Sequence, residues 1–182
     1  MKFLSLHEES TIINHMKDGS IFVYPTDTIY GIGCNALKPK SVKRIREIKK
    51  TDHPFSVIAP SFDWIKKYMK IRDEEYIYKL PGPYTLILEK KEPGFLKDAC
   101  QTKTLGIRVP SHPILSMVKQ AGIPFITTSA NISGNSCITS VDQLPQEIVK
   151  KVDFVVDGGI LDNKPSKVID LTKKEPTVIR SS

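Results

Sequence analysis

The sequence predicts an α/β (α+β) domain in which helices pack around one twisted, mixed β-sheet. Short β-branched or aromatic runs are interleaved with amphipathic stretches, but without a regular strand–helix–strand rhythm. Several strand-like runs lie too close together for a helical crossover, which argues against a doubly wound parallel sheet and for antiparallel neighbours. No internal repeat, low-complexity tract or linker divides the chain, so residues 1–182 read as one unit.

The elements follow in order. Ile12, Ile13 and Met16 recur at near-helical spacing within 8–17, and Asp18-Gly19 is a stop. Ile21-Phe22-Val23-Tyr24 reads as the first strand. Ser41 is placed to cap a helix over 42–50, where Val42, Ile45 and Ile48 recur every three residues. A strand is expected over 55–59, then helices over 62–69 and 74–80, the second ending at Pro81-Gly82-Pro83. Strands over 84–89 and 105–109 come next, followed by a short helix over 114–120, entered through Pro113 and closed by Gly122. A strand over 125–128 precedes a mostly helical stretch, 140–151, whose regular part begins at Pro145. Short strands at 154–156, 168–171 and 177–179 complete the pattern.

Composition narrows the function classes. The 40% hydrophobic and 26% charged fractions are those of a soluble globular chain. No run approaches the ~18–20 apolar residues of a membrane span, and MKFLSLHEES lacks the core and cleavage site of a signal peptide, so the cytosol is the expected compartment. Cys34, Cys100 and Cys137 form no CxxC pair, and His7, His15, His53 and His112 show no HxxxH spacing, so no tightly bound metal is expected. The formal charge is +7, concentrated between Lys38 and Lys50, where seven Lys and Arg are opposed only by Glu47. Such a run suits nucleotide phosphates or RNA, and equally a solvated helix face.

Two polar segments about a hundred residues apart carry the functional signal. YPTDTIYGIG (Tyr24–Gly33) and TTSANISG (Thr127–Gly134) each crowd hydroxyls and amides where a buried strand should end. Side chains of this kind need partners if buried, so they mark either solvent-facing turns or a small-molecule site at strand ends. No GxSxG elbow, Ser-His-Asp order, Walker A loop or GxGxxG is present. The available Lys, Arg, Ser, Thr and Asn suit a site that holds reactants and stabilises developing charge while the reactants supply the nucleophile.

Together with GPYTLIL (Gly82–Leu88), TLGIRVPSHP (Thr104–Pro113), PSKVIDL and Arg180, these segments resemble the YrdC/Sua5 family of L-threonylcarbamoyladenylate synthases over most of the chain. The resemblance implies an open, strongly twisted sheet enclosing a concave basic cleft. It implies formation of threonylcarbamoyl-AMP and pyrophosphate from L-threonine, bicarbonate and ATP, with Mg²⁺ accompanying ATP. The product would pass to a t6A transferase complex that modifies tRNA. By the same resemblance Thr26, Arg108, Thr127 and Ser166 contact threonine, and Lys49, Thr104, Ser129, Asn131 and Arg180 contact ATP. Lys49, Ser129 and Asn131 are the residues expected at the reacting phosphate. Arg108 also has a residue-level rationale, because its planar fork matches a carboxylate, although a structural ion pair would explain it too.

One segment departs from the family. Thr51 stands where the family's KxR element has arginine, and IKKTDHPFSVI is about two residues shorter than expected. A histidine of the following strand is missing, and Cys137 stands in place of a serine. The shortened segment resembles the YciO branch, which admits an alternative: a paralogue that binds nucleotide, tRNA or double-stranded RNA, with weak or different carbamoyl-transfer activity.

Overall fold

The structure is a computed structural model that describes residues 2–181. Its elements run β1 (Phe3–Ser5), α1 (Glu9–Asp18), β2 (Phe22–Tyr24), β3 (Gly31–Gly33), α2 (Pro39–Lys49), β4 (Ser56–Ile58), α3 (Phe62–Tyr68), β5 (Met69–Lys70) and α4 (Glu74–Ile77). They continue with β6 (Tyr84–Lys90), β7 (Thr104–Arg108), α5 (Ile114–Ala121), β8 (Phe125–Ser129), α6 (Gln146–Val149), β9 (Phe154–Asp157), β10 (Lys167–Asp170) and β11 (Thr177–Arg180). A 3₁₀ turn, Val141–Gln143, precedes α6.

The strands form one open sheet in the order β1-β9-β2-β3-β8-β4-β7-β6-β10-β11, with β5 beside β6. Parallel pairs (β1/β9, β2/β9, β4/β7, β6/β10) are mixed with antiparallel ones (β2/β3, β3/β8, β4/β8, β6/β7, β10/β11). This is the mixed sheet expected from strands too close for helical crossovers. The strand β8 joins its two parts, pairing Gly31 and Ile32 on one side and Ser56, Val57 and Ile58 on the other.

The core fills both parts. Phe22, Phe125 and Phe154 are fully buried, with Phe22 stacked on Phe154 at 4.4 Å between ring centroids. The helix α1 turns Ile12, Ile13 and Met16 inward and packs against α5, which contributes Ile114, Met117 and Val118. At Gly33 the backbone approaches closely, and an added Cβ would lie 2.0 Å from the Ile126 carbonyl oxygen. Only glycine permits that approach of β3 to β8.

Two readings of the sequence need correction. Ser41 does not cap α2: the helix begins at Pro39, and the Ser41 hydroxyl instead donates to the Gly19 carbonyl at 2.6 Å, tying α2 to the end of α1. Proline at a first helical turn gives up no needed N–H, so no side-chain cap is required. The stretch 140–151 is mostly helical, as expected, with the 3₁₀ turn Val141–Gln143 followed by α6, which begins directly after Pro145. The polar segment after β2 ends in a strand: β3 returns antiparallel to β2, and glycines at both ends hid it from a search for β-branched runs.

Gly33→Ala should lower stability by about 2–3 kcal/mol, the scale of an overpacked core position. Calorimetric unfolding would record it, and an unchanged midpoint would contradict the close β3–β8 approach.

Candidate functional site

Side chains alternate across a strand, so small polar residues spaced by two gather on one face of the sheet. In β7, Leu105 and Ile107 point into the core, while Thr104, Gly106 and Arg108 face a cavity of about 410 Å³. Registered neighbours continue the wall. Arg108 pairs with Thr85 of β6, Thr85 with Val168 of β10, and Val168 with Arg180 of β11. A second row runs from Thr127 of β8 to Ser56 of β4 and on to Gly106. An added Cβ at Gly106 would fall 2.2 Å from the Ser56 hydroxyl, so glycine there keeps the floor open.

Arg108 is 7% exposed. Its Nη2 donates to Asp27 Oδ1 at 2.7 Å and to Thr28 Oγ1 at 2.6 Å, with Thr26 Oγ1 more distant at 3.4 Å. Asp27 Oδ2 accepts the Ser111 amide at 3.0 Å, so the carboxylate bridges the 26–28 segment to the end of β7. Desolvation pulls the guanidinium below its ordinary value, and Asp27 opposes that pull. The Arg108 Nε is buried without an acceptor among the described residues. A buried donor left unmade is costly, and here it belongs to the side chain that closes one end of the cavity.

Thr26 does not line the cavity. It is buried behind it, donating to the Ile29 carbonyl at 2.7 Å and lying 3.0 Å from the Thr28 hydroxyl, which does reach the cavity wall. At the far end, Arg180 donates through Nε and Nη2 to the Ser166 carbonyl and through Nη2 to its hydroxyl, which is 2.8 Å from Thr85 Oγ1. Of the residues singled out in the sequence, the cavity brings together Thr104, Arg108, Thr127, Ser129, Ser166 and Arg180.

Lys49 and Asn131 lie in an adjoining lobe of about 200 Å³, which shares Ser129, Thr128, Pro54 and Phe55 with the main cavity. Lys49 is 4% exposed, and its ammonium donates to the Ser129 carbonyl (2.6 Å), the Asn131 carbonyl (2.8 Å) and Asn131 Oδ1 (3.1 Å). Its own carbonyl accepts the Ser133 amide at 3.1 Å. Ser129 Oγ donates to Asn131 Oδ1 at 2.6 Å, and Asn131 Nδ2 donates to the Asn135 carbonyl. The lysine therefore latches the TTSANISG turn to the end of α2, using all three of its N–H donors. Burial pushes it down to about 8.

The basic run is largely occupied within the protein. Arg44 pairs with Asp153, Lys50 with Glu147, and Arg46 donates to the carbonyls of His53, Asp98 and Ala99 while stacking over Phe55. Lys50 thus points away from the lobe that Thr51 lines. Among the described residues no Asp or Glu lines the cavity or the lobe; Asp27 matches the charge of Arg108 from behind, leaving Arg180 and Lys49 to set a positive field.

Sequence reasoning passed over Asp27 and Thr85. Asp27 carried a signal, as the one acid inside a hydroxyl-rich segment facing a strand arginine. Thr85 could have been found from its alternation with Leu86 and Leu88 in β6.

The Sua5/YciO/YrdC family model, described as "Telomere recombination", matches residues 14–182, and the chain belongs to that family. It is 38% identical over 192 residues to a Methanocaldococcus jannaschii protein provisionally named threonylcarbamoyl-AMP synthase, an alignment covering 99% of this chain and 91% of that one. It is 32% identical to the uncharacterised protein YciO of Escherichia coli, covering 91% of this chain and 84% of YciO. The crystal structure of Pyrococcus abyssi Sua5 complexed with L-threonine superposes with a TM-score of 0.86 at 30% identity, over 99% of this chain and 57% of that one. The chain thus spans little more than half of that protein. The YciO crystal structure gives 0.83 at 30% identity, over 99% and 95% of the two chains.

Because the folded pKa of Lys49 lies near 8 and the ordinary value near 10.5, the unfolded chain binds more protons between those pH values. The cost of burying the charge is fully present below pH 8 and is relieved as pH rises toward 10.5. Measured against Lys49→Met, wild-type stability should gain on the order of 3 kcal/mol across that window. Denaturant unfolding at pH 8 and 10.5 would measure it, and a constant difference would contradict a buried ammonium.

Proposed function

We propose that this member of the Sua5/YciO/YrdC family forms L-threonylcarbamoyl-AMP and pyrophosphate from L-threonine, bicarbonate and ATP. Relatives named for this synthase support the reading, as does the L-threonine complex of the Pyrococcus abyssi homologue. The observation that carries it is Arg108, which lines a polar cavity that no carboxylate lines among the described residues and whose buried Nε has no partner there. A guanidinium edge is matched best by a carboxylate, and threonine supplies one.

In this reading Arg108, Thr127 and Ser166 hold threonine, with Thr26 acting from behind through Thr28. Thr104 and Arg180 hold the nucleotide, and Ser129, Asn131 and Lys49 lie toward the reacting phosphate. The threonine amine attacks the carbon of bicarbonate, a C–O bond of bicarbonate breaks and water leaves, giving the N-carboxylate. One oxygen of that carboxylate attacks the α-phosphorus of ATP, the bond to the α,β-bridging oxygen breaks, and pyrophosphate leaves. No protein side chain is covalently modified, so the contribution of the chain is orientation and neutralisation of charge.

Among the described residues no group of three His, Cys, Asp or Glu is placed to hold a metal. In this reading Mg²⁺ would arrive with ATP as part of the substrate. The acyl-adenylate would be consumed by a t6A transferase complex acting on tRNA in the cytosol. No described helix is long and apolar enough to cross a membrane.

A second reading, a YciO-like protein that binds nucleotide or RNA without efficient synthesis, is favoured by Thr51 in the phosphate lobe and by the similarity to YciO. The two separate on incubation with labelled ATP, Mg²⁺, bicarbonate and L-threonine, omitting each in turn. Synthesis predicts an AMP-linked product that disappears without threonine or bicarbonate. Absence of product with nucleotide binding retained would overturn it in favour of the second reading.

A further inference from the structure

Lys49 and His53 are the ionisable cationic side chains among the residues lining the phosphate lobe, and Lys49 has all three donors committed to the 129–131 turn. Thr51, standing where an arginine is expected, supplies no charge. Its hydroxyl instead accepts the His53 amide at 3.2 Å. From the other side Arg46 Nη1 donates to the His53 carbonyl at 2.8 Å, and the guanidinium of Arg46 stacks on Phe55, which lines the same lobe. The backbone of His53 is thus clamped on both its N–H and its C=O, at the tip of the segment that follows α2. The ring has no such commitment. The imidazoles of His15 and His112 bond Ser20 and the Ile114 amide, whereas that of His53 has no protein partner among the described residues.

We propose that His53 is a polyphosphate-binding residue, taking the β- and γ-phosphates of ATP and the departing pyrophosphate in place of the absent arginine. The shortened segment makes this possible by bringing position 53 to the lobe. In either protonation state an imidazole offers at least one N–H donor to a phosphate oxygen, and the clamp on its backbone limits the entropy lost on binding. The inference deepens the synthase reading and rests on it for the identity of the nucleotide, but its contact is with phosphate and is tested separately.

Binding of inorganic pyrophosphate and of L-threonine is measured by calorimetry on the whole protein, for wild type, His53→Ala and His53→Arg. His53→Ala should weaken pyrophosphate binding about tenfold, the loss of one charge-assisted contact, and leave threonine affinity unchanged. His53→Arg should restore it. Pyrophosphate affinity unchanged in His53→Ala, no pyrophosphate binding by wild type, or an equal loss of threonine affinity would each overturn the proposal. A His53-dependent pyrophosphate site in a protein that makes no acyl-adenylate would uphold this inference and sink the synthase reading. Normal synthesis with an unchanged KM for ATP in His53→Ala would do the reverse.

Discussion

Burying a guanidinium in the middle of a sheet is costly, and at Arg108 the cost is only partly offset. Asp27 and Thr28 take its Nη2, and the bridge from Asp27 to the Ser111 amide fixes the 26–28 segment against the end of β7. The remaining geometry follows from that cross-link. It places Thr28 at the cavity wall, leaves Nε facing no protein acceptor, and sets the row Arg108–Thr85–Val168–Arg180 as one side of a polar hollow. A protein selected for stability alone would gain by filling such a position with a packed apolar side chain. The unsatisfied donor is therefore better understood as an interaction kept for a ligand.

The adjoining lobe is built differently. There the positive charge is spent on structure: Lys49 gathers three oxygens of the 129–131 turn, and Arg46 gathers three carbonyls of the segments around His53 and Ala99. Such latches order two irregular segments that face each other across the lobe. They also change the meaning of the basic run in α2. Arg44 and Lys50 are paired with carboxylates, and Arg46 and Lys49 are committed to carbonyl oxygens, which leaves fewer of its cations free to contact RNA than the sequence implies.

Much of this arrangement was legible from residue order. Alternation in TLGIRVP placed Thr104 and Arg108 on one face, and the crowded hydroxyls of PTDT and TTSANISG marked strand ends that the fold brings side by side through β3 and β8. The strand β3 was missed because Gly31 and Gly33 carry no β signal and serve close backbone approach. Partners were the least legible part. That Lys49 meets carbonyls, that Thr26 sits one layer behind the cavity, and that Asp27 shares Arg108 all depend on contacts between segments some eighty residues apart.

The central claim is that the free edge of Arg108 anchors a substrate carboxylate. Calorimetric titration of wild type and Arg108→Met with L-threonine and with L-threoninamide tests it most directly, because the amide keeps the threonine side chain and replaces the carboxylate that Arg108 should read by a neutral group. The account predicts that wild type binds threonine at least about tenfold more tightly than its amide, the worth of a charge-assisted pair, and that Arg108→Met abolishes the difference. Equal affinity of wild type for the two ligands would contradict it.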